Sequence, residues 1–336
     1  MSKPDFYIMT PRLPKQRGGS WNDFMGLTKF AEDQGFDRAW VMETNDRDAF
    51  SLATQMALST KTIKIGINIV SVFTRTPTLL AMSTLTVSEV AGDRFTLGIG
   101  PGGTEIVRDG HGIVFEKPLQ RVSESIDIIR RLLQGERVNY DGRIFKVRND
   151  FRIRFSLSDI KVPIYVSALN PKMLQLAGQK ANGVILSHMP LEAAEDAKRE
   201  VEKGCIRAGR SLSEVEMCVN LPVGVDYDEG ILNTRKAVAW HLAAKTYDWL
   251  ISHTPYRNVV EEMRKLYWSR RREEAAALMT DDILLTFGLG YKESDIRSRI
   301  SKYLAAGITP VVDTHGIRKG HEKEDIMAIA KIAIST

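Results

Sequence analysis

The stretch from Ile63 to Gly103 limits what this chain can fold into more than any other. An apolar run, Ile63-Lys64-Ile65-Gly66-Ile67-Asn68-Ile69-Val70, leads through Arg75-Thr76-Pro77 into a segment that stops at Gly92-Asp93. A second apolar run, Phe95 to Ile99, follows and closes on Gly100-Pro101-Gly102-Gly103. Two short apolar runs joined by a helix make one βαβ unit, because parallel strands pair only through a long crossover. Pro77 suits a first helical residue, whose amide needs no partner, and Gly92-Asp93 supplies the stop.

The same alternation runs through the chain. Strands are predicted at Phe6 to Thr10, Arg38 to Met42, Ile164 to Ala168, Val184 to Ser187, Glu216 to Val225 and Thr309 to Asp313, besides the two above. Helices are expected at Trp21 to Gln34, Asp48 to Ser59, Leu119 to Gln134, Pro171 to Lys180, Leu191 to Ala208, Lys292 to Ala306 and Glu322 to Ile334. Eight βα repeats point to the α/β class and a closed (β/α)8 TIM barrel, whose active site lies at the C-terminal ends of its strands.

Two segments break the rhythm. Asn139 to Phe145 is expected to be a hairpin turning at Asp141-Gly142, within an insertion at about residues 136–160. The polar, helical stretch from Asp228 onward is longer than a crossover needs, and marks a helical insertion at about 228–290. Residues 1–336 are otherwise expected to form one barrel domain, with Glu105 to Lys117 as a loop.

Composition narrows the function. With 43% hydrophobic and 26% charged residues the chain is an ordinary globular one. Met1-Ser2-Lys3-Pro4-Asp5 carries no apolar leader and no run is long enough to span a bilayer, so a cytoplasmic location without membrane contact is expected. Cys205 and Cys218 make no disulfide framework and no metal spacing. The net charge of +5 gathers at Arg143, Lys146, Arg148, Arg152 and Arg154, and around Arg270 to Arg272. No stacking aromatics interleave there, so nucleic acid is not an expected partner. A solvated face, or attraction of an anionic ligand, fits better.

The series Ile65-Gly66 to Ile69, Thr74-Arg75-Thr76-Pro77, Leu80-Ala81, Leu85, Glu89, Gly92-Asp93-Arg94 and Leu97-Gly98-Ile99-Gly100-Pro101-Gly102 resembles the bacterial luciferase-like superfamily. Within it, the likeness is greatest to the coenzyme F420-dependent methylenetetrahydromethanopterin reductases. The resemblance implies a barrel enzyme that uses the deazaflavin F420 for hydride transfer to or from a small organic substrate. It also implies a homodimer paired through helices that flank the early strands. An FMN-dependent monooxygenase fed by a flavin reductase, or a non-catalytic flavin-binding relative, shares the same fold, and fold does not decide chemistry on a barrel.

The resemblance also assigns residues. Asn68-Ile69 matches a non-prolyl cis peptide that backs the middle ring of the cofactor, and Gly100, Pro101 and Gly102 match a turn lining its slot. Ser167, Ala168, Asn170, Lys172 and Met173, at the end of the fifth strand, match contacts to the cofactor's phosphate-bearing chain. A helix start there suits an anion, although Asn170 capping the helix before Pro171 explains the same residues. Glu43 and Thr44 end the second strand; Glu43 either orients the cofactor and handles a proton, or caps the helix near Asp48. Relatives carry acids where this chain has Met9 and Gly103, so methanopterin itself is not implied as substrate. His188 and His315, at two other strand ends, are candidate replacement proton donors.

Overall fold

The computed structural model describes residues 3–8, 19–155 and 161–335. Eight strands, all parallel, close into a barrel: β1 (Asp5–Tyr7), β2 (Arg38–Val41), β3 (Lys64–Ser71), β4 (Phe95–Gly100), β7 (Ile164–Ser167), β8 (Gly183–Ser187), β9 (Glu216–Gly224) and β10 (Thr309–Gly316). Their order around the ring is β1-β10-β9-β8-β7-β4-β3-β2. This is the TIM barrel anticipated from the alternation, with each strand near its expected centre. The first strand is described over Asp5–Tyr7, and Met9 and Thr10, the end of its expected range, lie outside the described residues.

Helices α1 (Gly19–Gln34), α2 (Ala49–Ser59), α3 (Pro77–Ala91) and α4 (Pro118–Leu133) surround the first half. Thr76 caps α3 by accepting from the Leu79 amide, with Pro77 in the first turn. The second half carries α5 (Pro171–Lys180) and α6 (Ala194–Arg207), the latter entered through a 3-10 turn at Leu191–Ala193.

Side chains alternate across each strand, and the packing divides accordingly. Outward residues such as Ala39, Ile65, Leu97, Val166, Val184 and Val219 pack against the helices. Inward residues Tyr7, Trp40, Tyr165, Ile185, Cys218 and Val311 form a separate cluster that fills the lumen. Gly66 is required here, because a Cβ would sit 2.1 Å from the Trp40 indole.

Beneath this layer lies a buried ionic group. Arg38 donates to both carboxylate oxygens of Glu216 at 3.2 Å and lies 3.4 Å from Asp5; the Trp40 indole donates to Asp5 at 2.7 Å. The Tyr165 hydroxyl donates to Glu216. Burial pushes the Asp5 carboxyl up to about 7, against the pull of Arg38 and Trp40.

Between α4 and β7, strands β5 (Val138–Asp141) and β6 (Lys146–Phe151) form a separate antiparallel pair. The expected two-residue turn at Asp141-Gly142 is corrected: the connection runs from Gly142 to Phe145. The cause is Glu124 of α4, whose buried carboxylate accepts the Arg143, Ile144 and Phe145 amides at 2.8, 3.0 and 2.9 Å and holds the wider loop. The loop after β4 also differs from expectation in containing a π-helical turn at Ile106–Gly110.

Between β9 and β10 run α7 (Asp228–Leu242), α8 (Asp248–Ile251), α9 (Arg257–Trp268), α10 (Arg272–Ala277), α11 (Asp281–Phe287) and α12 (Glu293–Ala305). Helix α13 (Glu322–Ile334) follows β10. Among the described residues, no helix is long and apolar enough to cross a membrane.

Candidate functional site

Continuing the inward alternation one step above the aromatic layer places Asn68 of β3, Gly100 of β4, Ser167 of β7, Ser187 of β8, Asn220 of β9 and Asp313 of β10 at the C-terminal mouth. Asn68 and Asn220 belong to strands on opposite sides of the ring and join across it: Asn68 Nδ2 donates to Asn220 Oδ1 at 2.7 Å, and Asn220 Nδ2 donates to Asn68 Oδ1 at 3.1 Å. Both are buried. The Asn68-Ile69 peptide is cis, and the β3–β4 register shifts between Ile67 and Val70.

Gly100 and Ser167 meet on the next two strands round. A Cβ on Gly100 would stand 2.9 Å from Ser167 Cβ, so a side chain at this point of β4 would displace β7 or fill the mouth. The following turn is tied back by Ser71, whose hydroxyl donates to the Pro101 carbonyl at 2.8 Å.

Glu43 stands just past β2. Its carboxylate takes a two-pronged contact from Arg75 at 3.1 and 2.8 Å and accepts the Ala49 amide at 3.2 Å, while Arg75 also pairs with Asp48. Glu43 thus meets Arg75 and the first amide of α2, whose side-chain cap is Asp48 accepting from the Ser51 amide. Thr44 lies beside it, half-buried.

The opposite rim is built from β8, β10 and α7. His188 is fully buried and adopts a left-handed backbone (φ 52°), with its amide donating to the Asn220 carbonyl at 2.9 Å. Its Nδ1 lies 2.8 Å from Ser187 Oγ, which accepts from Tyr247 Oη at 3.3 Å. The His188 and His241 rings are 3.9 Å apart, and His241 is 5.8 Å from His315. His315 Nδ1 lies 2.9 Å from Asp313 Oδ1, out of line for a hydrogen bond. Burial, reinforced by the neighbouring imidazoles, drives His188 well below the usual histidine range and His241 down to about 4, so both rings are neutral at neutral pH.

His188 Nε2 and Thr314 Oγ1 are buried with no hydrogen-bond partner among the described residues, and Asp313 Oδ1 and His315 Nδ1 face each other at 2.9 Å without an aligned hydrogen bond. Such groups, at the end of β8 and along β10, are costly to leave unmet, and a polar ligand that reached them would satisfy them.

The sequence profile of the family described as luciferase-like monooxygenase matches residues 6–309. The chain belongs to this family. It is 33% identical over 291 residues to the 5,10-methylenetetrahydromethanopterin reductase of Archaeoglobus fulgidus, covering 84% of this chain and 86% of the relative. It is 31% identical to the enzyme of that name from Methanolobus tindarius, covering 88% and 90%. In fold it is similar to the coenzyme F420-dependent tetrahydromethanopterin reductase of Methanopyrus kandleri, with a TM-score of 0.84 at 24% identity over 99% of this chain and 98% of that one.

On this luciferase-like barrel the sequence-derived candidates fall into three places. Asn68, Ile69, Gly100, Pro101 and Gly102 share the edge made by β3 and β4, next to Ser167. Ala168, Asn170, Lys172 and Met173 open α5, where Asn170 accepts the Met173 amide at 3.2 Å and Lys172 is exposed. His188 and His315 come together on the far rim, bridged by His241. Asn220, Ser187, Asp313, His241 and Tyr247 were not among the candidates. Asn220 alone carried a visible mark, as the one polar residue in the run Met217-Cys218-Val219-Asn220-Leu221.

Proposed function

We propose that the protein is an oxidoreductase that binds coenzyme F420 in the barrel mouth and acts on a small organic substrate. The observation that carries this is the 33% identity to a methylenetetrahydromethanopterin reductase across 84% of the chain. The mouth fits such a group: a buried amide pair forms its base, Gly100 keeps one wall open, and the opposite rim holds unpartnered polar atoms.

In this reading Asn68 and Ile69 support the ring system, with Gly100, Pro101, Gly102 and Thr44 beside it. Ser167, Ala168, Asn170, Lys172 and Met173 hold its phosphate-bearing chain, where the free amides of the first turn of α5 and the exposed Lys172 favour an anion. Bound deazaflavin supplies hydride transfer with little activation of oxygen. The chain itself supplies position and a water-poor setting, with Glu43 fixing Arg75 and the start of α2. His188 and His315 are the groups available to exchange a proton with substrate. Gly103 brings no acid to the turn after β4, so this reading names the substrate only as a small organic compound.

We read the chain as one barrel domain with insertions at about 136–160 and 228–290, of which residues 156–160 lie outside the described residues. We also read it as a homodimer. Leu79, Met82 and Val90 stand exposed along α3, and Leu58 at the end of α2, apolar side chains on the helices that flank the early strands, which such pairing would cover.

Titration of the purified protein with F420 and with FMN, followed by quenching of its five tryptophans, tests the proposal. Tighter binding of F420 is expected. Preference for FMN would instead favour a monooxygenase working with a flavin reductase, and indifference to both would overturn the enzyme assignment.

A further inference from the structure

The rim formed by β8, α7 and the 3-10 turn Lys245–Tyr247 that follows it carries a hydrogen-bond chain. Tyr247 Oη donates to Ser187 Oγ at 3.3 Å, which leaves the serine's own proton free to go to the atom 2.8 Å away, His188 Nδ1. A neutral imidazole that accepts at Nδ1 carries its proton at Nε2. That Nε2 is buried and unpartnered. Beside it, His241 has Nδ1 2.9 Å from the Ala237 carbonyl, an acceptor only, so His241 is a donor at Nδ1 and presents a bare acceptor at Nε2.

We propose that Tyr247 and Ser187 hold His188 as its Nε2–H tautomer, so that His188 donates a hydrogen bond to an acceptor oxygen or nitrogen on the substrate's reacting carbon. The inference rests on the function proposed above and narrows the substrate to compounds with a neutral acceptor at that carbon, such as a carbonyl or its alcohol. At His188 Nε2 itself the N–H opposes a cation and favours an acceptor, whereas the groups beside it, Asp313 and His241 Nε2, are acceptors. Ser187 and Tyr247 are positioning residues: they act on substrate through the imidazole. Tyr247 reaches the site from the helical segment after β9, which gives that segment a part in the site as well as in packing.

Long-range proton–nitrogen correlation spectra of the 15N-labelled full chain test this, with the His188 signals identified by their loss in His188→Gln. Nε2–H is expected in the parent protein. Tyr247→Phe and Ser187→Ala should convert His188 to a mixture of tautomers, and Ser187→Thr, which keeps the hydroxyl, should restore Nε2–H. Should Ser187→Ala not fold, Tyr247→Phe removes a single oxygen and serves alone. Acetone, a carbonyl acceptor, should shift the Nε2 proton resonance, and isopropylammonium should not. A parent Nδ1–H tautomer, a tautomer unmoved by Tyr247→Phe, or a resonance indifferent to acetone would overturn the inference. F420 titration of the same proteins separates the two claims: a parent protein that fails to bind F420 defeats the function, whereas normal binding with an unmoved tautomer defeats only this inference.

Discussion

Asn68 and Asn220 bind each other with both ends of their amides, at 2.7 and 3.1 Å, from strands on opposite sides of the barrel. The pair ties β3, where the cofactor ring is proposed to rest, to β9, whose neighbour β8 carries the histidine rim.

Removing one partner strands the other in a buried site. Asn220→Ala should lower stability by ~1–3 kcal/mol in urea denaturation, and Asn68→Ala by a similar amount. The double variant should cost less than the sum of the two, since the second truncation removes a group already left unpaired. Additive losses would mean that the two amides are independent. F420 affinity should fall in each variant.

Glu43→Gln separates a proton carrier from a support. With both oxygens engaged by Arg75 and the Ala49 amide, the substitution should lower stability by ~1 kcal/mol and leave the pH dependence of turnover in place. A displaced acid limb of the pH profile would show instead that Glu43 handles a proton.

Asp5 makes stability depend on pH. Its carboxyl is held up to about 7 in the fold, against an ordinary value of 3.8, so the folded chain keeps a proton that the unfolded chain loses. Stability from this group is full below its unfolded value and declines as pH rises through the interval up to the folded value. The stability of the parent relative to Asp5→Asn should therefore fall between about pH 4 and about pH 7. Denaturation of both proteins across this window, with no change in their difference, would count against the assignment.

The exposed stripe on α3 should respond to charge. Leu79→Glu combined with Met82→Glu should convert a dimer to monomer in sedimentation, with little change in the melting temperature of the monomer, because both side chains are exposed. An unchanged mass would place any partner contact elsewhere.

Much of the barrel was legible because its strands are short apolar runs at regular intervals, and the Ile63 to Gly103 unit carries its own start, stop and crossover. At the mouth, Gly100 and Asn68 were singled out through the family resemblance, since an ordinary strand end or turn would read the same from spacing alone. The mouth was not legible where a residue reaches the site through tertiary packing. His241 and Tyr247 sit in a polar helical stretch whose local pattern says nothing of β8, yet Tyr247 meets Ser187 from 60 residues away. Glu124 likewise sets the width of the hairpin connection from a neighbouring helix, overriding the Asp141-Gly142 turn preference.

The aromatic filling of the barrel has a consequence for traffic. Tyr7, Trp40 and Tyr165, with Arg38 and its carboxylates below them, stop the cylinder like a cork, so whatever enters from the top must leave the same way. Two molecules that share one doorway have to queue, the deeper one arriving first and departing last. For the proposed cofactor this means that, each hydride transfer leaving it in its other redox state, it must pass the same doorway or be restored there before the next turnover.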